Sequence, residues 1–168
     1  GSRNRVAFSI KEAIVNGVIE GPRILVAGTP ITTTAGHCYF FGTEANSQEE
    51  ILQAVRNQVK LGADCIKIMS TGGNFTPRSN PRRAQFSLNL LQDAVEDAHR
   101  LEVPVASHCH GTEGIINSVS SGVDNLIHCS WISSNPSEGY DYREDVVDEI
   151  VDKGIFVDPT IALGHLRQ

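Results

Sequence analysis

The sequence predicts an α/β fold built from parallel βα units. Five short apolar segments that resemble buried strands alternate with about five segments in which apolar residues recur at helical spacing, and this alternation is typical of parallel βαβ units. The strand-like segments show little polar alternation, as expected where helices cover both faces of a sheet or where strands line a barrel. With 168 residues, 40% of them hydrophobic and 20% charged, we expect a single domain, 1–168, with a substantial core.

The first helix and strand are predicted from apolar spacing and from the proline between them. Apolar residues at helical spacing predict a helix over 6–18, which ends before Pro22. The apolar segment 23–28 then predicts a strand. A connection rich in threonine and glycine follows over 29–46.

The second βα unit has clear start and stop signals. Ser47 and Glu50 have the spacing of a capping box, and apolar residues follow at helical spacing on one side. Gly62 is expected to end this helix as its C′ residue. The next strand is predicted over 64–69, and it contains Lys67 between two isoleucines.

A polar connection over 70–85 separates this strand from the next helix. It is long for a βα loop, and long loops at strand tips are often functional. Ser87 is expected to cap the helix that follows. The remaining predicted elements are helices over 88–101, 112–120 and 142–153 and strands over 103–110, 124–129 and 155–159.

Composition excludes several classes of partner. The net charge of −6 makes nucleic acid and anionic membrane surfaces unfavourable partners. No apolar run approaches the roughly 20 residues that span a bilayer, and no signal-peptide pattern opens the sequence. The four cysteines show no C-x-x-C spacing. We therefore expect no disulfide framework, no cysteine metal cluster and a reducing, cytoplasmic environment.

Three predicted strands end in residues that could ligate a metal: Lys67, His108 and His128. The carboxyl ends of parallel strands meet at one rim, where enzymes of this architecture keep their chemistry. His108 and His128 lie on successive strands and are predicted metal ligands. His110 shares a strand face with His108, so it could support a metal site or hydrogen-bond to the turn that follows.

Two interpretations of Lys67 remain open. Its ammonium could reach solvent from the sheet edge, or burial could lower its pKa so that the amine reacts. Carbon dioxide would then convert the amine to a carbamate, which offers two anionic oxygens to metal ions.

The other candidate residues carry weaker signals. His37 follows a glycine in the first long connection, where it could contact a substrate or lie on an ordinary surface loop. Arg78, with two further arginines in the 70–85 connection, could bind a carboxylate or be solvated. His99 is predicted to be solvated on its helix, and His165 belongs to no local motif.

Several motifs resemble the metal-dependent amidohydrolase superfamily, in particular its imidazolonepropionase-like branch and its branch of Xaa-Pro or Xaa-Arg dipeptidases. The motifs lie at 21–26, 34–37, 66–73, 105–111 and 122–128. The resemblance implies a (β/α)8 barrel that holds one or two divalent metals, commonly zinc. It also implies that Lys67 is the carbamylated lysine between two metals, and that His108 and His128 bind the second metal.

The chain departs from the family pattern at both ends. The family needs an H-x-H pair on its first strand and an aspartate on its last strand, and the sequence contains neither at the expected place; Asp158 comes too early. Five strands cannot close an eight-stranded barrel. We therefore expect a partial barrel of about five parallel βα units, without the first and last strands.

The resemblance implies a metal-dependent hydrolase that cleaves a C–N bond of a small amide, peptide or cyclic amide with metal-activated water. His37, His110 and Arg78 are the expected substrate-binding residues, and no catalytic residue is assigned within the chain. As a fragment, the chain is expected to be inactive alone and to associate with itself or with the missing strands. The alternative is a non-catalytic α/β domain that binds a ligand or partner at its strand tips.

Overall fold

A parallel β-sheet with helices packed against it organises residues 1–161, which the computed structural model describes. Within these residues the helices are α1 (Val6–Val15), α2 (Gln48–Lys60), α3 (Leu88–Arg100), α4 (Thr112–Ser121) and α5 (Glu144–Asp152). The strands are β1 (Ile31–Thr32), β2 (Thr43–Glu44), β3 (Ile66–Met69), β4 (Val105–Gly111), β5 (Asn125–Ile132) and β6 (Phe156–Asp158). Every strand pair is parallel, and the order is β2-β1-β3-β4-β5-β6. The predicted α/β class is confirmed.

The central strands are held by buried aliphatic side chains. Ile66 and Ile68 of β3 and Leu126 of β5 are fully buried, and Leu91 of α3 packs in the same core. Burial of each such side chain contributes about 1.5–3 kcal/mol relative to exposure. These side chains form one core with the helices, whereas Lys67, between Ile66 and Ile68, alternates to the opposite face of the sheet.

The register of β3, β4 and β5 brings the predicted site residues to one end of the sheet. Met69 lies opposite His108, and Cys109 lies opposite His128. Lys67 is two residues before the end of β3. Three neighbouring strands therefore carry Lys67, His108 and His128 toward the carboxyl end of the sheet, as the sequence predicts.

The capping signals around α2 act as expected, with one difference. The Ser47 hydroxyl accepts a hydrogen bond from the Glu50 N–H at 3.3 Å. The Glu50 carboxylate accepts from the N–H of Asn46 at 2.7 Å, one residue before the cap. At the other end Gly62 has φ +85°, which a residue with a side chain seldom adopts.

The predicted strand over 23–28 is wrong. This segment joins no strand; instead Val26 exchanges two 2.7 Å hydrogen bonds with Asp64, one to the carboxylate and one from the main-chain N–H. Val26 packs in a second small core with Phe8 of α1. Gly28, at φ +66°, and the lack of an N–H at Pro30 interrupt an extended ladder there.

Two short strands occupy the connection that follows, where none was predicted. β1 and β2 contain two residues each and are joined without a helix, so the strict alternation of strands and helices fails at this point. β1 nevertheless pairs with β3 through Ile31 and Ile68. The connection over 29–46, and His37 within it, is therefore attached to the same end of the sheet.

The sheet is open at its outer strands. Among the described residues β6 pairs with β5 only, and Phe156 on it is 74% exposed. Within residues 1–161, none of the helices has the length and apolar character needed to cross a membrane.

Candidate metal centre

Four histidine rings meet at the carboxyl end of the sheet. His108 and His110 lie on β4, His128 on β5 and His37 in the connection between β1 and β2. The centroid of the His108 ring lies 4.8 Å from those of His110 and His128 and 4.6 Å from that of His37. The His110 and His128 rings stack with centroids 4.3 Å apart. Residues that are far apart in sequence thus form one cluster.

Three of these side chains could share one metal ion. One ligand nitrogen each from His108, His110 and His128 lies within 4.8 Å of the others. Imidazole nitrogen is a preferred ligand of zinc and other late transition metals. From the sequence, His110 is expected to bind substrate. The geometry also makes it one of the three histidines that could bind a metal.

The Lys67 amine is buried beside this cluster. Its Nζ has no hydrogen-bond partner among the described residues, so the interpretation in which it reaches solvent is wrong. Burial lowers the pKa of Lys67 from 10.5 to about 8. A buried, unpaired amine is costly, and conversion to a carbamate would replace its positive charge with an anion suited to a metal. The residues present therefore fit a metal with a carbamylated lysine.

The histidines are neutral at pH 7 because burial disfavours their charged forms. Burial, and then repulsion from Lys67, lowers the pKa of His108 to about 2. Burial, and then repulsion from His110, lowers the pKa of His37 and of His128 to about 4. A neutral imidazole has a free lone pair, which metal ligation requires.

Hydrogen bonds orient each ring. His108 Nε2 donates to the carbonyl of Gly72 at 3.2 Å, so its Nδ1 carries the free lone pair. His110 Nδ1 lies 2.9 Å from Ser130 Oγ, and His128 Nδ1 lies 2.6 Å from Thr160 Oγ1. Such partners fix the ring orientation of metal ligands. These partners lie within a strand or in the connection after one, and sequence reasoning could not identify them, because a lone glycine, serine or threonine forms no motif.

The tip of β5 has an unusual backbone. His128, Cys129 and Trp131 have φ values of +73°, +47° and +54°, and the register between β4 and β5 shifts after Cys109. A residue with a side chain pays about 1–3 kcal/mol in such a conformation. Strain of this kind clusters at functional sites, and here it falls on a predicted metal ligand.

The other predicted residues lie outside the ring cluster. Arg78 is exposed in the 70–85 connection, with φ +66°. Its neighbour Arg82 instead donates to the carbonyl of Ser133 at 2.6 Å, and this contact ties the 70–85 connection to the segment after β5. His99 is exposed, as predicted, and pairs with Asp124 at 2.8 Å. His165 lies outside the described residues.

Comparisons with known proteins agree with this arrangement. The sequence profile of the amidohydrolase family matches residues 3–167. The ochratoxinase of Aspergillus niger is 32% identical in an alignment that covers 73% of this chain and 31% of that protein. The chain thus spans about a third of that relative.

Solved structures show the same fold. A Xaa-Pro dipeptidase with methionine bound in its active site has a TM-score of 0.86 and 31% identity, over 99% of this chain and 42% of its own. The crystal structure of the A. niger ochratoxinase has a TM-score of 0.84 and 29% identity, over 95% and 40%. The sheet corresponds to part of the barrel of these proteins, so the predicted partial (β/α)8 barrel is confirmed.

Proposed function

Because the chain belongs to the amidohydrolase family, we propose that it forms part of a metal-dependent hydrolase that cleaves a C–N bond. One observation carries the proposal: three histidine nitrogens lie within 4.8 Å of one another beside the buried, unpaired amine of Lys67. Amidohydrolase motifs at strand tips and a donor set suited to zinc support the same conclusion.

The residues that would hold metal are His108, His128 and Lys67 as its carbamate, with one or two zinc ions as the expected cofactor. A bound divalent metal supplies Lewis acidity, which polarises a carbonyl and lowers the pKa of a water molecule. Carbamate formation joins the uncharged Lys67 amine to carbon dioxide and releases one proton. With a pKa near 8, roughly one Lys67 amine in ten is uncharged at pH 7.

The substrate is proposed to be a small amide or dipeptide. The rings of His110 and His37 both contact that of His108, and Arg78 is an exposed residue of the 70–85 connection. A guanidinium pairs well with a carboxylate, such as the one at the end of a dipeptide. The structural relatives include a dipeptidase, which supports this class of substrate.

The chain alone is proposed to be inactive. In residues 1–161 the group that could ligate a metal consists of histidines without a carboxylate, and hydrolysis of an amide needs a group that carries a proton to the leaving amine. With zinc and a panel of dipeptides and N-acyl amino acids, we expect no turnover that follows the 168-residue chain through purification. Turnover that co-purifies with it would contradict this assignment.

Zinc titration calorimetry of the chain, with bicarbonate present, tests the metal site. We expect stoichiometric zinc binding by the chain. His128→Ala should lose at least tenfold in zinc affinity, because one of the residues proposed to coordinate the metal directly is removed. His99→Ala is the matched control: His99 is an exposed histidine paired with Asp124, and its removal should leave zinc binding unchanged. Absence of zinc binding, or equal binding by His128→Ala, would refute the site.

A further inference from the structure

The 70–85 connection holds the turn that carries His37. The Gln85 side-chain carbonyl accepts a hydrogen bond from the main-chain N–H of His37 at 2.6 Å. The Gln85 side-chain N–H2 donates to the carbonyl of Met69 at 2.6 Å, and the Gln85 main-chain N–H donates to the carbonyl of Ser70 at 2.8 Å. Gln85 therefore links the His37 main chain to the tip of β3.

The orientation of the Gln85 amide follows from its partners. A main-chain N–H can only donate, and a main-chain carbonyl can only accept. The contact to His37 therefore requires the amide oxygen, and the contact to Met69 requires the amide nitrogen. A glutamate at this position would keep the first contact and lose the second.

Thr76 contacts both the main chain and the ring at the same turn. Its buried hydroxyl accepts a hydrogen bond from the Cys38 N–H at 2.8 Å and lies 3.2 Å from His37 Nδ1. A hydroxyl has one proton to donate, and His37 Nδ1 is the acceptor within reach among the described contacts. When Thr76 donates to Nδ1, the neutral His37 ring carries its own proton on Nε2.

A glycine leaves room for this ring. A Cβ atom at Gly73 would lie 2.5 Å from both Cε1 and Nε2 of His37. On its other face the ring stacks on His108, with centroids 4.6 Å apart and planes 30° apart. His37 is thus enclosed by one connection and by a predicted metal ligand.

We propose that Gln85 and Thr76 are the positioning residues of His37. Gln85 places its main chain against β3, and Thr76 selects the tautomer with the proton on Nε2, so that a substrate at the proposed site would meet His37 as a hydrogen-bond donor. The part that concerns substrate rests on the proposed function. The positioning itself is a property of the chain without metal or substrate.

The tautomer can be read by long-range ¹H–¹⁵N NMR of the ¹⁵N-labelled chain without metal, with the His37 signals assigned from a His37→Phe variant. We expect the Nε2–H tautomer of His37 in the unmodified chain and in Thr76→Ser, which keeps the hydroxyl. In Thr76→Val, which removes the hydroxyl and keeps the shape, the fraction of the Nδ1–H tautomer should rise. A dominant Nδ1–H tautomer in the unmodified chain, or an unchanged tautomer in Thr76→Val, overturns the proposal.

Amide hydrogen exchange tests Gln85 in the same samples. The His37 amide should exchange roughly tenfold faster in Gln85→Leu, which removes the acceptor, and should stay protected in Gln85→Glu, which keeps it. Equal protection in Gln85→Leu overturns the role of Gln85. If Thr76→Val does not fold, the tautomer of the unmodified chain decides the role of Thr76. None of these readouts requires hydrolysis, so their failure is distinct from failure of the proposed function.

Discussion

The buried amine of Lys67 has no hydrogen-bond partner among residues 1–161, and its charge opposes the protonation of each histidine around it. Such a group is a poor structural element, because an aliphatic side chain would fill the same space without the cost of desolvation. A reactive role for the amine, such as carbamate formation, would explain why a lysine occupies this buried position. The pH dependence of folding should reveal this cost.

Lys67→Met should stabilise the metal-free chain at neutral pH in buffer depleted of carbon dioxide. Folding lowers the pKa of Lys67 from 10.5 to about 8, so the unfolded chain binds more protons between these values. The resulting penalty, about 3 kcal/mol, is fully present below pH 8 and disappears as the pH rises to 10.5. Urea denaturation should show the advantage of Lys67→Met shrinking across this window.

Lys60→Met provides the matched control, because Lys60 is exposed at the end of α2. Its effect on the free energy of unfolding should not vary between pH 8 and 10.5. A constant difference between Lys67→Met and the unmodified chain over the same window would show that the amine is solvated.

Between elements, one buried carboxylate joins α2 to α3. The Asp97 side chain is only 2% exposed and accepts from Arg56 Nε at 2.8 Å and Nη2 at 3.1 Å; Arg100 contacts the same carboxylate. The two arginines are largely exposed, so solvent screens part of the attraction. The buried carboxylate nevertheless fixes how the two helices pack.

Asp97→Ala should lower the free energy of unfolding by about 1–3 kcal/mol, because the hydrogen bonds between the helices are lost and a small cavity remains. Thermal and urea denaturation measure the change. Asp145→Ala is the comparison, since Asp145 pairs with Arg143 on the exposed surface and should have no measurable effect. Equal effects of the two substitutions would mean that Asp97 does not link the helices.

The strands that the sequence predicts correctly are those with long apolar runs in the middle of the sheet. β3, β4 and β5 are the central strands of the sheet, and their buried aliphatic side chains form one core with the helices. β1 and β2 are two residues long, too short to show a hydrophobic pattern in the sequence. They are recognised as strands only by their pairing in the sheet. The segment 23–28 has the composition of a strand, but a carboxylate at Asp64 and the small core around Val26 determine its position.

At the scale of the whole molecule, the site was predictable where it depended on topology. Parallel strands bring Lys67, His108 and His128 to one end whatever the details of the loops. The role of His110 stayed open. It shares a strand face with His108, so it could either support a metal site or hydrogen-bond to the following turn. The contacts of Thr76 and Gln85 with His37 could not be predicted, since they cross between two long connections whose paths depend on the fold.

The open sheet should promote association of the chain. Within residues 1–161, β6 has one edge without a neighbouring strand, and Phe156 and Val157 on it are exposed. Unpaired edges with apolar side chains pair readily with other chains. We propose that this edge pairs with another copy or with complementing barrel strands. Phe156→Lys should raise the monomer fraction in sedimentation velocity experiments, because a charge on the edge opposes pairing.

Phe75→Lys is the control for that experiment, because Phe75 is similarly exposed but lies in the 70–85 connection. It should leave the distribution of species unchanged. A chain that is fully monomeric before any substitution, at concentrations used for structural work, would contradict the proposed role of the β6 edge.

Binding of a transition metal by the histidine cluster can be tested most directly by diffraction at the zinc absorption edge, with crystals of the zinc-loaded chain. We expect one strong anomalous peak at the carboxyl end of the sheet, at ligand distance (about 2.0–2.1 Å) from nitrogens of both His108 and His128. In crystals grown with bicarbonate, the Lys67 amine should also carry added density. A peak at another position, such as His99 and Asp124, or no peak at all with zinc in excess, would contradict the proposed metal site.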